Sequence, residues 1–329
     1  MIPVLSPTPE NIHLAAQSLR NGELVAMPTE TVYGLAGDAL NPLALAKIFE
    51  VKQRPFFDPL IVHIADRNWV EKLCVQIPPE AGVLMDRFWP GALTLVLPKN
   101  AIVPDLATSG LDTVAIRMPS HPIAQALLKE AGIPLAAPSA NPFGRLSPTR
   151  AEHVSEDFKE GIDCILDGGD CSIGVESTVI GWIDGEAKLF RAGGISLEEI
   201  EEVLRHSLTP SPLSPQGGQS IQSPGNLESH YAPRTPLILL SEDGIFSPGG
   251  LGGKQNGLLW FGSQNPPNGF ALVENISHKG DLHEAAANLF AALHRLDNAG
   301  LTRIYAMVFP ETGLGRAIND RLRKAAAAS

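Results

Sequence analysis

The sequence predicts a two-domain α/β protein, and three observations support that fold class. The composition, 44% hydrophobic and 19% charged over 329 residues, is typical of a globular chain long enough for two domains. Helix-like and strand-like segments alternate in both parts of the chain, which favours helices packed on sheets. Residues 207–227 contain no charged residue and four prolines, which predicts a linker. We therefore expect a first domain at 1–206, a linker at 207–235 and a smaller α/β domain at 236–329.

Helices of the first domain are predicted from their end signals. Thr8 caps a helix over 9–21, and Asn41 begins a second helix that ends near residue 52. A third helix spans 121–131, and Ser196 begins the last one through a capping box. Strands are expected at 24–27, 60–64, 93–97 and 114–118.

The second domain is predicted from one apolar stripe and three strand-like segments. Apolar residues recur at i, i+3, i+4 and i+7, which predicts a helix that packs on a core. The stripe consists of Leu282, Ala285, Ala286, Leu289, Phe290, Leu293 and Leu296. Strands are expected at 237–240, 258–261 and 304–308.

Charge and cysteine usage exclude several classes of protein. A net charge of -11 argues against a stand-alone nucleic-acid binder, so any contact with nucleic acid is expected to be weak or indirect. Three cysteines, none in a C-x-x-C pair, argue against a disulfide framework and a thiolate zinc site. The first residues show no signal-peptide pattern, and no apolar run has membrane-spanning length. We expect a cytoplasmic protein with no membrane partner.

Residues 249–254, Gly-Gly-Leu-Gly-Gly-Lys, resemble a phosphate-binding P-loop only superficially. Pro248 stands where the motif needs its first glycine, and Gln255 stands where it needs a magnesium-binding hydroxyl. We interpret this segment as a flexible loop. The chain also lacks the Gly-x-Ser-x-Gly and Gly-x-Gly-x-x-Gly signatures of serine hydrolases and Rossmann dehydrogenases.

A dense polar segment, 28–35, directly follows a predicted buried strand. It holds two threonine hydroxyls, a carboxylate and a phenol, from Thr29, Glu30, Thr31 and Tyr33. Ligand sites of α/β sheets collect at the carboxyl ends of strands. A ligand site and a simple capped turn are equally consistent with this composition.

Two cations end the second predicted helix. Lys52 and Arg54 are suited to a polyphosphate, one as a point charge and one as a fork. The alternative is that they only stabilise the negative end of the helix dipole. His63, near the end of the next strand, is more typical of a structural histidine than of a catalytic one.

Arg117 lies in an otherwise apolar strand and needs a partner. Thr113, Ala115 and Arg117 share one strand face, because side chains alternate. A buried unpaired charge is costly, so either an internal carboxylate or a ligand carboxylate must pair with this arginine. Further polar or small residues at predicted element ends occur at 136–141, 147–149, 174–179 and 191. Of these, 147–149 is expected to begin a helix, where free N–H groups suit anions.

Taken together, these segments resemble the threonylcarbamoyl-AMP synthase family in its long form. The resemblance implies a YrdC-like twisted open sheet with flanking helices, followed by a smaller α/β Rossmann-like C-terminal domain. It is carried by 28–35, 52–63, 113–119, 136–141, 147–149, 174–178 and Arg191 in the first part of the chain. Residues 223–225 and 230–233 resemble the family's linker, and 310–322 resemble its second domain.

The resemblance implies that threonine, bicarbonate and ATP form threonylcarbamoyl-AMP and pyrophosphate, for modification of a tRNA adenosine next to the anticodon. It implies a threonine site at Thr31, His63, Arg117, Ala137 and Ser177. It implies ATP contacts from Lys52, Arg54, Thr113, Ser139, Ser147 and Arg191. Mg²⁺ is expected to arrive with ATP, and a tRNA threonylcarbamoyltransferase is expected downstream. Catalysis is expected to rest mostly on positioning and charge stabilisation, and no catalytic side chain is assigned.

Five further positions have uncertain roles. Asp58 stands where some members have asparagine, and Glu228 stands where a linker aromatic can meet the nucleotide. Asn141, His230 and Tyr231 match the family but have no assigned contact. The linker is expected to fold over the cleft as a lid.

Two rival functions are weighed against this resemblance. A carbamoyl-adenylate-forming domain shares the fold but acts on carbamoyl phosphate, and it occurs in longer proteins with acylphosphatase and zinc-finger segments, which we do not find here. An RNA-binding module could use a local basic patch, although the acidic net charge argues against it. Pyrophosphate release that requires threonine and bicarbonate together would separate these alternatives.

Overall fold

A computed structural model describes residues 2–210, 230–240 and 255–327 of the chain. The first part contains β1 (Val4–Leu5), α1 (Pro9–Arg20), β2 (Val25–Met27), β3 (Gly34–Asp38), α2 (Pro42–Lys52), β4 (Ile61–His63), α3 (Asn68–Leu73), α4 (Pro79–Phe88), β5 (Leu93–Pro98), α5 (Asp105–Thr108), β6 (Thr113–Arg117), α6 (Pro122–Ala131), β7 (Leu135–Ala136), α7 (Ala151–Asp157), β8 (Cys164–Leu166), β9 (Thr178–Ile183), β10 (Glu186–Arg191), α8 (Leu197–Leu204) and β11 (Thr209–Pro210). The second part contains β12 (Leu237–Leu239), β13 (Asn256–Trp260), β14 (Leu272–Asn275), α9 (Leu282–Asp297), β15 (Arg303–Ala306) and α10 (Gly315–Ala326).

Strands of the first part form one mixed sheet in the order β1-β8-β2-β3-β7-β4-β6-β5-β9-β10-β11. Strand β6 is parallel to β4 and antiparallel to β5, while β9 is parallel to β5 and antiparallel to β10. This register sets His63, Arg117, Thr94, Val179 and Arg191 side by side in one row across five strands. Paired residues of neighbouring strands point to the same face, so the row brings three predicted site residues together.

Helices cover the β2 end of this sheet on both faces. Val25 and Met27 pack with α1 and α6, while Ala26 between them belongs to the large core on the opposite face. A strand buried on both sides has no polar alternation, which is why 24–27 is a continuous apolar run in the sequence. Two of the predicted caps are present, since Thr8 of α1 accepts from Asn11 and Ser196 of α8 forms its capping box with Glu199.

Strands of the second part form a parallel sheet in the order β12-β15-β13-β14. Six of the seven residues of the predicted apolar stripe are buried on α9 and Leu282 is partly buried, so the helix prediction is confirmed. The apolar core of this part also takes in Val32, Leu146 and Val175 from the first part. The two parts therefore share an apolar interface, and all three of these residues lie next to polar segments that the sequence singled out.

The predicted fold class is confirmed, with local differences. The segment 147–149 does not begin a helix, since α7 begins only at Ala151 and Arg150 makes no side-chain cap. Thr209 and Pro210, inside the predicted linker, pair as the edge strand β11, a position where proline is tolerated. Residues 211–229 of that linker and the P-loop-like segment 249–254 lie outside the described residues, so the domain boundaries stay a prediction. No helix in the described ranges is both long and apolar enough to cross a membrane.

Candidate functional site

A pocket with about 570 Å³ of empty space, its open mouth included, lies over the row of paired residues. It is lined by Thr29, Thr31, Val32, Gly34, Arg54, Pro59, Ile61, His63, Arg117, Ala137, Pro138, Ser139, Glu176, Ser177, Arg191, His230 and Tyr231. All five residues predicted to hold threonine are among them. Of the residues predicted to contact ATP, Arg54, Ser139 and Arg191 line it as well.

Arg117 finds its partner inside the protein. Its Nη2 lies 2.7 Å from Oε1 of Glu30, its Nη1 donates to Oγ1 of Thr31 at 2.8 Å, and its Nε donates to the carbonyl of Gly91. The question that the sequence left open is therefore answered by an internal carboxylate. Burial raises the pKa of Glu30, but Arg117 outweighs it and holds the pKa below its ordinary value. Glu30 is therefore ionised at neutral pH, and Arg117 fixes the Thr31 hydroxyl at the pocket wall.

His63 lies beside this pair as a neutral ring. Burial, and then the positive charge of Arg117, lower the pKa of His63 to about 3. Its Nδ1 lies 3.2 Å from the carbonyl of Ile61, and since a carbonyl can only accept, Nδ1 carries the proton. The imidazole therefore adds polar surface to the pocket without adding charge.

Lys52 is almost fully buried directly behind the pocket. Its Nζ donates to the carbonyl of Ser139 at 2.5 Å and to the carbonyl of Asn141. Burial and the charge of Arg54 lower the pKa of Lys52 well below its ordinary value. The ammonium thus holds the 139–141 segment in place, and Asn141 also donates through its amide to the carbonyl of Arg145.

Asp58 is the internal partner of Arg54. Its Oδ2 lies 2.8 Å from Nη2 of Arg54, and Arg54 also donates to the backbone carbonyls of Asp58 and Pro59. The Asp58 side chain is fully buried and does not line the pocket. The carboxylate whose role the sequence left uncertain therefore pairs with the neighbouring guanidinium.

Ser177 connects the residues predicted to bind threonine with those predicted to bind ATP. Its hydroxyl lies 2.7 Å from the Thr94 hydroxyl and 3.3 Å from Nη2 of Arg191, which also donates to the Ser177 carbonyl at 3.0 Å. Ser177, predicted to bind threonine, is thus in direct contact with Arg191, predicted to bind ATP. Thr94 was not predicted, although its position at the start of a predicted strand could have indicated it.

Glu176 is a further site residue that sequence reasoning did not identify. It lines the pocket, and its Oε1 accepts from the hydroxyl of Ser147 at 2.5 Å. Ser147 therefore stands one layer behind the pocket wall. The signal for Glu176 was its place between Gly174 and Ser177 in a segment already singled out as polar.

The segment from His230 closes one side of the pocket. The rings of His230 and Tyr231 lie 4.2 Å apart, and the Phe143 ring meets His230 edge-on at 5.5 Å. The N–H of Ala232 donates to the carbonyl of Gly144 at 2.7 Å, which fixes the segment against the first part. The predicted lid contacts the pocket at these residues, while Glu228 lies outside the described residues.

Thr113 is the predicted ATP residue that lies farthest from the pocket. It shares the strand face of Arg117, as predicted, but begins β6 where Arg117 ends it, about 13 Å away at 3.3 Å per residue. Between them lies an apolar surface formed by Ile61, Ala115 and neighbouring side chains. Within the described ranges, no three His, Cys, Asp or Glu side chains are grouped closely enough to hold a metal ion.

Two family models cover most of the chain. A model described as telomere recombination, for the Sua5, YciO and YrdC proteins, matches residues 17–193. A model described as the C-terminal domain of threonylcarbamoyl-AMP synthase matches residues 195–327.

Full-length relatives carry the same name. The chain is 44% identical to a threonylcarbamoyl-AMP synthase of Pyrococcus abyssi over 323 residues, which cover 95% of this chain and 93% of the relative. It is 45% identical to that of Bacillus subtilis over 329 residues, with coverage of 98% and 94%. A crystal structure of P. abyssi Sua5 complexed with L-threonine superposes with a TM-score of 0.88 at 41% identity, covering 99% of this chain and 97% of that one.

Proposed function

This chain belongs to the threonylcarbamoyl-AMP synthase family, and we propose that it converts L-threonine, bicarbonate and ATP into L-threonylcarbamoyladenylate and pyrophosphate. The observation that carries the proposal is the single pocket that joins the predicted threonine residues to Arg54, Ser139 and Arg191. The product then serves to modify a tRNA adenosine next to the anticodon.

The reaction has two bond-forming steps. The free amine of threonine attacks bicarbonate, and a carbamate forms as water is lost. A carbamate oxygen then attacks the α-phosphorus of ATP, and pyrophosphate leaves with the electrons of the broken P–O bond. Both steps need reactants held in contact and charge held in place, and neither needs a protein nucleophile. Adenylyl transfer of this kind makes the enzyme a nucleotidyltransferase.

We assign the amino acid to the wall formed by Thr31, His63, Arg117, Ala137 and Ser177. Arg117 supplies the positive charge for the threonine carboxylate, and it shares that charge with Glu30. The small side chain of Ala137 leaves room beside the polar groups. The relative whose structure is described as a complex with L-threonine supports this assignment by its overall likeness.

We assign the triphosphate to Arg54 and Arg191, with the backbone at Ser139 held by Lys52 from behind. The remaining nucleotide would extend along the apolar face towards Thr113. No carboxylate cage is needed for Mg²⁺, which we propose enters as MgATP with phosphate and water ligands. Ser147 would act on the ATP site indirectly, through its hydrogen bond to Glu176.

The wider setting is also proposed. The buried free thiols of Cys74, Cys164 and Cys171 are consistent with a reducing cytoplasm. Since the chain is acidic, we place direct tRNA contact with a downstream threonylcarbamoyltransferase, to which this enzyme would supply its product.

The experiment is mass spectrometry of the adenylate formed from ATP, bicarbonate and a panel of amino acids, together with pyrophosphate release. Threonine is expected to give the product, and release is expected only when threonine and bicarbonate are both present. Arg191→Gln should abolish release, while Lys188→Gln on the exposed part of the same strand, where the ammonium pairs with Glu186, should not. No adduct with threonine, or a strong preference for serine, would overturn the proposal.

A further inference from the structure

A buried arginine of the second part reaches the wall of the pocket. Arg321 of α10 has a side chain with 0% exposure. Its Nε donates to Oε2 of Glu176 at 2.8 Å, and its Nη1 donates to the carbonyl of Ala192 at 2.9 Å and to Asp320 at 2.7 Å. Glu176 and Ala192 both belong to the first part, so this side chain crosses the interface between the two parts.

Glu176 transmits this contact to the pocket. Each of its two oxygens accepts a hydrogen bond from a different part of the chain. Oε1 accepts from Ser147 of the first part, and Oε2 accepts from Arg321 of the second. Burial raises the pKa of Glu176, but Arg321 and then Arg191 outweigh it and hold the pKa below its ordinary value. A buried carboxylate that lost Arg321 would become neutral or rotate, and the Ser147 hydroxyl would lose a charged acceptor.

The same arginine supports a second wall of the pocket. Its guanidinium carbon lies 5.2 Å from the centroid of the Tyr231 ring, within cation–π range. The N–H of His230 donates to the carbonyl of Lys324, one turn further along α10. Both residues of the 230–231 segment that line the pocket are therefore held by one helix of the second part.

We propose that Arg321 is a positioning residue of the active site, which fixes Glu176 in one wall, with Ser147 behind it, and Tyr231 in another. In this role the second part of the chain completes the pocket. The expected loss of activity rests on the proposed function, while the expected loosening of the pocket walls does not.

A matched control lies on the same helix. Arg316 also crosses from α10 to the first part, where its Nη1 lies 2.5 Å from Oε1 of Glu198 on α8. That pair is partly exposed and neither residue lines the pocket. If arginines of α10 served only to join the two parts, Arg316→Met and Arg321→Met should have the same kind of effect.

The first measurement is steady-state kinetics of pyrophosphate release for Arg321→Met, Arg316→Met, Glu176→Gln and the double variant with Glu176→Gln and Arg321→Met. Arg321→Met should lower kcat/KM by about 100-fold, the size expected when a remote change misplaces reacting groups by about 1 Å. Arg316→Met should leave it unchanged. The double variant should lose less transition-state stabilisation than the sum of the two single losses, because part of the effect of Arg321 acts through that carboxylate. Additive losses would overturn the inference.

The second measurement is amide hydrogen exchange without ligands. The exchange rates of two backbone N–H groups report on the order of the two pocket walls. The N–H of Tyr33 donates to the carbonyl of Pro148, and the N–H of Ala232 donates to the carbonyl of Gly144. Both should exchange faster in Arg321→Met and at the wild-type rate in Arg316→Met. Equal exchange in the two variants would overturn the inference. If Arg321→Met does not fold, Arg321→Lys, which keeps the charge but not the fork, takes its place under the same criteria.

These two measurements separate the two proposals. A wild-type protein that makes no adenylate, with faster exchange confined to Arg321→Met, would end the proposed function and leave the positioning role standing. An active wild-type protein whose walls do not respond to Arg321→Met would end the positioning role alone.

Discussion

His153 and His294 stack between the two parts of the chain, and this contact predicts a specific acid lability. Their ring centroids lie 3.9 Å apart, and the planes differ by 16°. Nδ1 of His153 accepts from the N–H of Thr149 at 3.2 Å, so that nitrogen cannot carry a proton. Nε2 of His294 lies 3.2 Å from the Ser147 carbonyl, to which it donates. Protonation of His153 would break its bond to Thr149 and place a charge against the neighbouring ring.

The magnitude follows from the pKa of His153. Burial, and then His294, Arg150 and Arg295, lower this pKa from its ordinary 6.5 to about 3. A histidine with a depressed pKa in the folded state stabilises the fold fully above the unfolded pKa, and this contribution is lost as the pH falls from 6.5 towards 3. Between pH 7 and pH 5 the unfolded ring gains most of a proton and the folded ring gains almost none. The free energy of unfolding should fall by about 2 kcal/mol from this group.

The assay is urea denaturation of the wild type and His153→Asn at pH 7 and pH 5. Asparagine can still accept from Thr149, so the variant removes the titration and keeps an acceptor. The wild type should lose about 2 kcal/mol more than the variant over this range. His206→Gln is the control, because Glu80 raises the pKa of the exposed His206, so removing it should not reduce the loss. Parallel losses in wild type and His153→Asn would refute the reasoning.

Two further predictions concern the interface and the pocket. Gly174 and Gly110 have similar backbone angles, with φ of +75° and +79°. A Cβ on Gly174 would lie 2.4 Å from the carbonyl oxygen of Ala286, whereas a Cβ on Gly110 would meet nothing within 4 Å. Gly110→Ala should therefore lower the free energy of unfolding by roughly 1–2 kcal/mol. Gly174→Ala should lower it by about 2 kcal/mol more. Equal losses in the two variants would mean that α9 does not pack against Gly174. Ser177→Ala removes the hydroxyl between Thr94 and Arg191 and should raise the KM for threonine about tenfold, or about 1.4 kcal/mol; an unchanged KM would contradict the assignment of Ser177 to the threonine site.

Elements with strong local signals could be predicted, and those built by pairing could not. The helices capped by Thr8 and Asn41 begin where the sequence indicates. Strand β3 was missed because Gly34-Leu35-Ala36-Gly37-Asp38 has little intrinsic strand preference. It exists because β2 pairs with it on one side and Ala136 of β7 pairs with Gly37 on the other.

The same division holds for the pocket. The resemblance to the family led to His63 and Arg117, and both line the pocket. Strand alternation placed Thr113 on the right face, yet it carries no information on how far along the strand a ligand extends. The partners of Arg117 and Arg321 were not predictable, because the contact from Thr31 to Arg117 spans 86 positions and that from Glu176 to Arg321 spans 145.

These partners change how the cations of the pocket should be understood. Three buried arginines at or next to it each face a buried carboxylate: Arg117 faces Glu30, Arg54 faces Asp58 and Arg321 faces Glu176. Unpaired, such charges would be too costly to bury while the pocket is empty. Paired, they are held in fixed geometry before any ligand arrives, which is the condition under which donors stabilise a transition state without reorganising. The cations alone therefore describe only part of the site, since each of these arginines is held in place by a buried carboxylate.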